Sequence, residues 1–193
     1  MRKELLAGED VFLVRDLLTP EECADFIRLT ERIGYGAAPI TTAGGPVMAT
    51  DVRNNDRVMF DDPARAAGLW DRLKPFVPPL DGCPAVGLNE RLRFYRYDVA
   101  ETFRPHTDGY FARNRDRSKL TLLIYLSGGC EGGETVIYFQ EGDSPAMPDG
   151  AELRVAPEPG KALFFRHELL HEGAPVRGGR KYVLRSDVMY RCS

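Results

Sequence analysis

His106 and Asp108 are the residues whose types and spacing are best suited to chemistry, in the stretch Arg104-Pro-His-Thr-Asp-Gly109. Two residues that are two apart on an extended strand project to the same face, because strand side chains alternate. His171, far downstream, joins them if the fold brings it alongside. Two imidazoles and one carboxylate on one side of a metal form a donor set that holds non-haem Fe(II) and leaves coordination positions open. A His-x-Asp pair alone is weak support for a metal site, so the predicted elements around it must show whether the three side chains can meet.

A second motif competes for one of these histidines. Residues 167–171 read His-Glu-Leu-Leu-His, which matches the H-E-x-x-H zinc site of metallopeptidases, with His167, Glu168 and His171 in the named positions. That site needs a helix that holds both imidazoles at i and i+4. The preceding segment 159–165 reads as a strand, and a glycine and a proline follow within four residues. We therefore expect His167 to be a surface residue or a support for the metal site, with the zinc peptidase kept as the alternative.

Composition excludes several classes of function. The chain has 193 residues and a net charge of -3 without a dominant basic stripe, which fits one globular domain and argues against nucleic acid as a partner. No apolar run approaches 18 residues, so the sequence predicts no membrane partner and an unexported, cytoplasmic protein. The four cysteines show no C-x-x-C spacing, and we expect them to be reduced thiols of a cytosolic protein; they are Cys23, Cys83, Cys130 and Cys192.

The first part of the chain, residues 1–87, is predicted to support the second. A short strand is expected within 10–18. Thr19-Pro20 then supplies an N-cap and a proline at the first helical position, and the helix should end at Gly34. Residues 36–50 read as a loop. A strand near Arg57–Phe60 and a second helix from Pro63 to about Leu73 complete this part.

The second part, residues 88–193, changes to short strands separated by turns. This pattern predicts a mainly β (α+β) single domain with an antiparallel jelly-roll, cupin-like core. The predicted strands are 92–97, 120–126, 134–139, 152–155, 161–165 and 181–190. In the first of them Arg93, Tyr95 and Tyr97 form a polar face, which in a barrel lines the functional interior.

A candidate cation for a bound organic acid follows His171. Lys181 lies ten residues on, after a turn at Gly178-Gly179 that folds its strand back alongside His171. A buried carboxylate, such as the distal carboxylate of 2-oxoglutarate, requires such a partner. On this strand Lys181, Val183 and Arg185 share one face.

The order of these motifs resembles a known family. The chain contains Tyr97-x-x-Ala-x-x-Phe-x-x-His106-x-Asp108, Tyr125-Leu-Ser, Gly132-Gly-Glu-Thr, Pro159-Gly-Lys-Ala-Leu-Phe-Phe and His171-x9-Lys181. This arrangement looks like the iron- and 2-oxoglutarate-dependent dioxygenases, and within them the prolyl 4-hydroxylase-like group. The resemblance covers roughly residues 90–190 in the right order.

The resemblance implies a double-stranded β-helix whose metal lies at one open end. It implies Fe(II), 2-oxoglutarate and O2, with ascorbate as a further expectation, and hydroxylation of a small molecule or a protein side chain such as prolyl, with release of succinate and CO2. By the same resemblance the iron ligands are His106, Asp108 and His171. Lys181 and the hydroxyl of Tyr125 would hold the distal carboxylate, and Tyr97 would lie near the co-substrate.

The chain also departs from the family pattern and leaves some roles open. Ala100 and Phe103 stand where many hydroxylases have Gly and Tyr, whereas the retained Asp108 favours hydroxylation over the halogenation of related enzymes. Arg185 is a candidate for the substrate or the proximal carboxylate, with a structural ion pair as the alternative. No role is assigned to Arg93, Asn54, Asn55 or Arg57, and the charged segment 113–118 is expected to be a loop at the site entrance. A non-catalytic metal-binding jelly roll stays open, as does the oligomeric state.

Overall fold

Two helices form where the sequence predicts them. The computed structural model describes residues 1–42 and 44–192. Helix α1 (Pro20–Ile33) begins with a capping box, in which Thr19 and Glu22 each accept a hydrogen bond from the other's backbone N–H, and it ends at Gly34 with φ 93°. Helix α2 (Pro63–Leu73) begins after Asp62, whose carboxylate accepts from the Arg65 N–H.

Ten strands form one large antiparallel sheet, called here the major sheet. Its order is β1-β2-β15-β11-β18-β8-β6-β3, with β10 beside β11 and β7 beside β18. The strands are β1 (Arg2–Ala7), β2 (Val11–Arg15), β3 (Gly36–Ala37), β6 (Asp56–Asp61), β7 (Ala85–Leu88), β8 (Arg91–Tyr97), β10 (Ala112–Arg113), β11 (Asp116–Tyr125), β15 (Ala162–Arg166) and β18 (Lys181–Arg191).

Four strands form a second sheet, called here the minor sheet, in the order β14-β13-β16-β9. They are β9 (Phe103–His106), β13 (Thr135–Tyr138), β14 (Glu152–Val155) and β16 (Leu170–Gly173). Two further pairs are β4 (Ile40–Thr42) with β5 (Gly45–Val47), and β12 (Glu131–Gly132) with β17 (Val176–Gly178).

Alternation along the strands of the major sheet sorts the core into two layers. Phe164 and Leu122 pack in one cluster with buried helix residues such as Leu69. Leu163 and Phe165 face the other way and pack with residues of the minor sheet. The period of two therefore places helices on one face of the major sheet and the minor sheet on the other. The mainly β, jelly-roll prediction is confirmed.

The same alternation directs polar side chains into one end of the space between the sheets. On β8, Leu92 and Phe94 belong to the helix-side core, whereas Tyr95 and Tyr97 line a cavity on the opposite face. The polar face predicted for this strand is therefore the interior one. In the minor sheet, His106 of β9 lies opposite His171 of β16. The fold thus brings together histidines that are 65 positions apart in the chain.

Several local predictions differ from the structure. The strand β1 is not predicted, because Arg2, Lys3 and Glu4 conceal a strand at the sheet edge, where charged side chains are tolerated. The predicted loop 36–50 contains short strands, with residue 43 outside the described residues. The predicted entrance loop 113–118 is part of the β10–β11 hairpin, where Asn114 adopts φ 54° in the turn.

The expectation of four reduced thiols is wrong for two cysteines. Cys83 and Cys192 form a disulfide that ties the end of the described chain to the segment between α2 and β7, while Cys23 and Cys130 are free. The two partners are separated by 109 residues, so no short-range motif could indicate the pairing. Among the described residues, no helix is long and apolar enough to cross a membrane.

Candidate active site

His106, Asp108 and His171 converge at the open end between the two sheets. The Nε2 atom of His106 is 3.9 Å from Oδ1 of Asp108, and Nε2 of His171 is 3.6 Å from Oδ2 of the same carboxylate. One ligand atom from each side chain lies within 4.8 Å of the others. The predicted grouping of two imidazoles and one carboxylate is therefore present in the fold.

Backbone carbonyls fix the tautomers of both imidazoles. Nδ1 of His106 is 2.8 Å from the Arg104 carbonyl oxygen, and Nδ1 of His171 is 2.9 Å from that of Leu169. A carbonyl only accepts, so Nδ1 carries the proton and Nε2 keeps its lone pair. Burial lowers the pKa of both rings, that of His106 to about 3. Both imidazoles are thus neutral and oriented as metal ligands require.

Asp108 is held as a buried carboxylate. Burial by itself raises its pKa, but the guanidinium of Arg185, 3.0 Å from Oδ1, and the neighbouring His171 and His106 hold that pKa far below the usual range. Thr121 donates to Oδ2 at 2.5 Å. An ionised carboxylate beside two neutral imidazoles matches the charge and donor types of an Fe(II) site.

His167 supports this carboxylate indirectly. It lies in the turn between β15 and β16, and its Nδ1 is 2.9 Å from Oγ1 of Thr121, which in turn donates to Asp108. Its Nε2 is 2.8 Å from Oγ of Ser118. The sequence predicted that His167 is either a surface residue or a support for the metal site. Only 4% of His167 is exposed, so the supporting role fits. The turn also separates His167 from His171, so the helix that a zinc metallopeptidase needs is absent from residues 167–171.

A cavity of about 40 Å³ extends from the triad between the two sheets. Lys181 lines it and is 2% exposed, and among the described ion pairs none includes its ammonium group. Burial lowers the pKa of Lys181 to about 8. Its Nζ lies 4.9 Å from the centre of the Tyr97 ring, which also lines the cavity. The cavity, which we call the inner cavity, therefore ends on a buried cation suited to an anionic ligand.

Tyr125 lies behind the cavity wall rather than in it. It is fully buried, and its hydroxyl donates to Oγ1 of Thr135 at 2.7 Å. Thr135 lines the inner cavity and Tyr125 does not. The Tyr125 hydroxyl therefore meets the cavity wall through Thr135, and its contact with an acid beside Lys181 stays a prediction.

The glycine pair 132–133 leaves room for this arrangement. Gly133 has φ 70°, and a Cβ atom there would lie 3.3 Å from Cδ of Lys181 and 3.2 Å from Cγ2 of Val176. Any larger residue would press on the lysine stem. The close approach of Gly133 to Lys181 explains why a glycine precedes Thr135 by two positions in the Gly-Gly-Glu-Thr motif.

Arg185 lies at the triad rather than beside Lys181. Besides Asp108 it pairs with Asp187 at 3.4 Å, so both the ion-pair and the substrate interpretations place it at the metal end of the cavity. Arg113, from the predicted entrance segment, pairs with Glu90 instead of facing the site.

Two functional candidates were missed from the sequence, Thr121 and Thr135. Thr121 alternates with Leu123 and Tyr125 on β11, so it shares the face that points into the cavity. That spacing was the available signal. Threonine is common in strands, however, and its type alone did not indicate a role.

Comparisons with known proteins agree with this fold and site. Residues 92–186 match the family model of the 2OG-Fe(II) oxygenase superfamily. "Probable prolyl 4-hydroxylase 8" of Arabidopsis thaliana is 26% identical over 196 residues, covering 89% of this chain and 65% of that protein. "Prolyl 4-hydroxylase 1" of the same plant is 25% identical, covering 89% and 66%. The chain thus spans just under two thirds of the length of these relatives.

Solved structures show the same fold. A prolyl-4-hydroxylase of Pseudomonas putida superposes with a TM-score of 0.64 at 18% identity, covering 95% of this chain and 94% of that one. A Trichoplax adhaerens prolyl hydroxylase, solved with a peptide of the hypoxia-inducible factor oxygen degradation domain, gives 0.67 at 16%, covering 93% and 83%. The matched family model and the plant relatives support a 2OG-Fe(II) oxygenase of the prolyl 4-hydroxylase-like kind, as the sequence predicts, and the solved structures support its fold.

Proposed function

We propose that the chain is an Fe(II)- and 2-oxoglutarate-dependent dioxygenase that hydroxylates its substrate and converts 2-oxoglutarate to succinate and CO2. The observation that carries this proposal is that the triad and a buried cation line one cavity. Neutral imidazoles and a carboxylate stand at its open end, and Lys181 lies buried in its wall, where no ion pair to it is found among residues 1–42 and 44–192. A metal-chelating acid with a second, distal carboxylate fits both features at once.

The residues of the chain have separate tasks in this proposal. His106, Asp108 and His171 hold the metal on one side. Lys181 and the hydrogen-bonded hydroxyls of Tyr125 and Thr135 would fix the distal carboxylate of 2-oxoglutarate, with Tyr97 against the co-substrate. Fe(II) with 2-oxoglutarate supplies the oxidant for hydrogen abstraction from the substrate when O2 binds.

The backbone and its hydrogen bonds keep these groups in place before any ligand arrives. The two Nδ1 contacts to carbonyl oxygens and the Thr121 contact to Asp108 orient every ligand atom. No side chain needs to act as a general base, which agrees with both ring nitrogens of His167 being engaged.

The substrate class is proposed from the relatives. The plant proteins are named prolyl 4-hydroxylases, and one structural neighbour was solved with a peptide. A prolyl or other protein side chain is therefore the first candidate, and a small molecule is the second. Ascorbate is proposed only as a reductant that sustains turnover.

Location and organisation also stay proposals. We propose a single catalytic domain over residues 1–193, acting in the cytoplasm without nucleic-acid or membrane partners. The Cys83–Cys192 disulfide is more typical of an oxidising compartment, so the thiol count of the protein in fresh lysate tests the cytoplasmic location.

Succinate formation tests the catalytic proposal. We expect purified protein with Fe(II) and 2-oxoglutarate to form succinate slowly even without substrate, and His106→Ala to lower the rate by more than about a hundredfold, since loss of an outer-shell partner alone costs 10–100-fold. Glu152→Gln, an exposed strand position paired with Arg154, is the matched control and should keep the rate. Unchanged succinate formation in His106→Ala would contradict the proposal. A screen for products heavier by 16 Da then identifies the substrate.

A further inference from the structure

A second space adjoins the metal site on the side away from Lys181. This outer cleft has a volume of about 440 Å³ and shares part of its wall with the inner cavity, including His106 and Asp108. A substrate that reaches the metal therefore borders it. Its lining contains two acids, Asp108 and Asp187, and four arginines: Arg53, Arg57, Arg93 and Arg185.

The register of strands in the major sheet brings three of these arginines close together. Arg185 of β18 lies opposite Arg93 of β8, and Arg57 of β6 lies opposite Tyr95 of β8. Three adjacent strands of the major sheet thus present guanidinium groups toward one cleft. Like charges in opposite strand positions destabilise a sheet unless an anion compensates them.

The two acids compensate only half of this charge. Asp187 lies 3.1 Å from Nη1 of Arg93 and 3.4 Å from Nη2 of Arg185, and Asp108 is the other partner of Arg185. Within residues 1–42 and 44–192, no acid pairs with Arg53 or Arg57. Two positive charges are therefore in excess. Fe(II) and the dianion 2-oxoglutarate would cancel each other, so the excess persists in the loaded site.

Arg53 provides a buried and unsatisfied donor. It is 4% exposed, and its Nε donates to Oδ1 of Asn55 at 2.7 Å. Its guanidinium carbon lies 4.4 Å from the ring centres of both Tyr95 and Phe103. These contacts explain its position but leave Nη2 without a hydrogen-bond partner, as is also true of Nε of Arg185. Buried donors of this kind are normally paired. Both atoms are closed to solvent, so they show that positive charge beside the cleft is incompletely compensated.

The pKa of Tyr95 reflects the same excess of positive charge. Burial alone would raise the pKa of its hydroxyl, but Arg53, Arg185 and Arg93 together bring that pKa below the ordinary value. The field in the cleft is thus strongly positive and would favour a negative group.

The segment that carries Arg53 is docked against the metal strand. The Arg104 N–H donates to the carbonyl of Val52 at 3.0 Å, and the Thr102 N–H donates to Oδ1 of Asn54 at 2.8 Å. Arg53 therefore has a fixed position relative to His106, two residues beyond Arg104. A ligand on Arg53 would be oriented toward the metal.

We propose that the outer cleft binds a carboxylate of the oxygenase substrate, held by the guanidinium groups of Arg57 and Arg53 that line it, and so selects substrates with an acidic group near the oxidised carbon. This rests on the proposed function, because the cleft is a substrate site only if the triad is catalytic. Planar guanidinium groups match the geometry of a carboxylate. The carboxylate belongs to an acidic residue of a peptide or to a free acid, and both place the same group on the same arginines.

Paired probes test the proposal without catalysis. The protein is loaded with Mn(II) and 2-oxoglutarate without oxygen, and the affinity of acetyl-Glu-Pro-Glu-amide is compared with that of acetyl-Gln-Pro-Gln-amide by calorimetry. We expect the acidic peptide to bind at least about tenfold more tightly, since charge-assisted hydrogen bonds favour the anion. The same comparison with acetylglutamate and acetylglutamine tests the free acid. Equal binding of the acidic and amide probes in both pairs would overturn the proposal.

Variants distinguish binding in the outer cleft from a general effect of the protein's charge on the acidic probe. Arg57→Gln should reduce the preference for the acidic probe to about twofold or less, because the partner charge is lost. Arg154→Gln is the matched control on an exposed strand and should retain the preference. Arg53→Lys keeps the charge while removing the fork of donors, so it should weaken the preference while the protein stays folded. A preference that persists in both cleft variants would overturn the assignment.

The catalytic assay keeps the two proposals distinguishable. Succinate formation without substrate depends on the inner cavity alone. If acidic binding is present but succinate formation is absent, the proposed function fails while the assignment of the arginines stands. If succinate forms but the acidic preference is absent, only the cleft proposal fails.

Discussion

The inner cavity and the outer cleft share a wall but differ in how their charges are balanced. In the inner cavity, Asp108 is matched by Arg185 and a hydroxyl, and no ion pair within the described part of the chain includes the buried Lys181. In the outer cleft, Arg53 and Arg57 have no acidic partner among the residues that the structure describes. Each space thus holds unpaired positive charge, but at opposite ends of the metal triad.

The difference assigns two kinds of anion to two places. A single enclosed ammonium group with a neighbouring hydroxyl suits one end of a small acid of fixed length, as 2-oxoglutarate is. A wider cleft with several guanidinium groups suits a carboxylate on a larger molecule. If this division is right, substitutions in one space should leave binding in the other intact.

The largest expected effect is that of Lys181→Met in the inner cavity. Leaving a buried carboxylate without its cation costs about 3–5 kcal/mol, which corresponds to a loss of 2-oxoglutarate affinity of more than about a hundredfold. Calorimetry with the Mn(II)-loaded protein measures this directly. The preference of the outer cleft for acidic probes should not change.

Lys161→Met is the matched control for that substitution. Lys161 is another buried lysine, 4% exposed, but it pairs with Glu158 and lies outside the inner cavity. Its variant should bind 2-oxoglutarate normally. Equal losses in both variants would mean that the effect comes from folding and not from the cavity.

A smaller effect is expected from Thr121→Val behind the triad. The substitution removes the donor to Asp108 and leaves Nδ1 of His167 unpaired, so metal affinity should fall by about 10–100-fold. Titration with Mn(II) measures the dissociation constant. Thr30→Val is the control, since Thr30 is a fully buried threonine whose hydroxyl bonds within α1. Unchanged metal affinity in Thr121→Val would show that the carboxylate does not need this support.

The pH dependence of 2-oxoglutarate binding sharpens the role of Lys181. Its pKa is lowered to about 8, and only the protonated form can pair with a carboxylate. Affinity should therefore be constant near pH 7 and fall as the pH rises above about 8, by up to tenfold per unit. Lys181→Arg keeps its charge and should show no such fall. A fall of the same size in both proteins would assign the titration to another group.

The inner cavity could largely be predicted from the sequence. His106 and Asp108 share a face through strand alternation, and Lys181 follows His171 by a short turn, so local spacing carries most of the geometry. Helix α1 was predictable for the same reason, since Thr19 and Pro20 act on their immediate neighbours. Short-range rules succeeded where the structure depends on short-range interactions.

The outer cleft depends on contacts between distant segments. Arg53 and Arg57 meet Arg93 and Arg185 only after β6, β8 and β18 pair, and no spacing rule relates these positions. The contact between Tyr125 and Thr135 was equally hidden, because both residues suit a strand and only packing shows that their hydroxyls meet. Register between non-neighbouring strands is the information that the sequence pattern lacked.

The smallest effect on either space is expected from replacing Cys83 and Cys192 by serine. Their disulfide closes a loop of more than a hundred residues away from both cavities, so its loss should lower the free energy of unfolding by about 2–4 kcal/mol. Binding of metal, 2-oxoglutarate and the acidic probe should stay unchanged. Denaturant unfolding measures the first quantity, and wild-type protein treated with a reductant should match the double variant. Four reactive thiols in unreduced, denatured wild-type protein would contradict the bond, because only Cys23 and Cys130 are free.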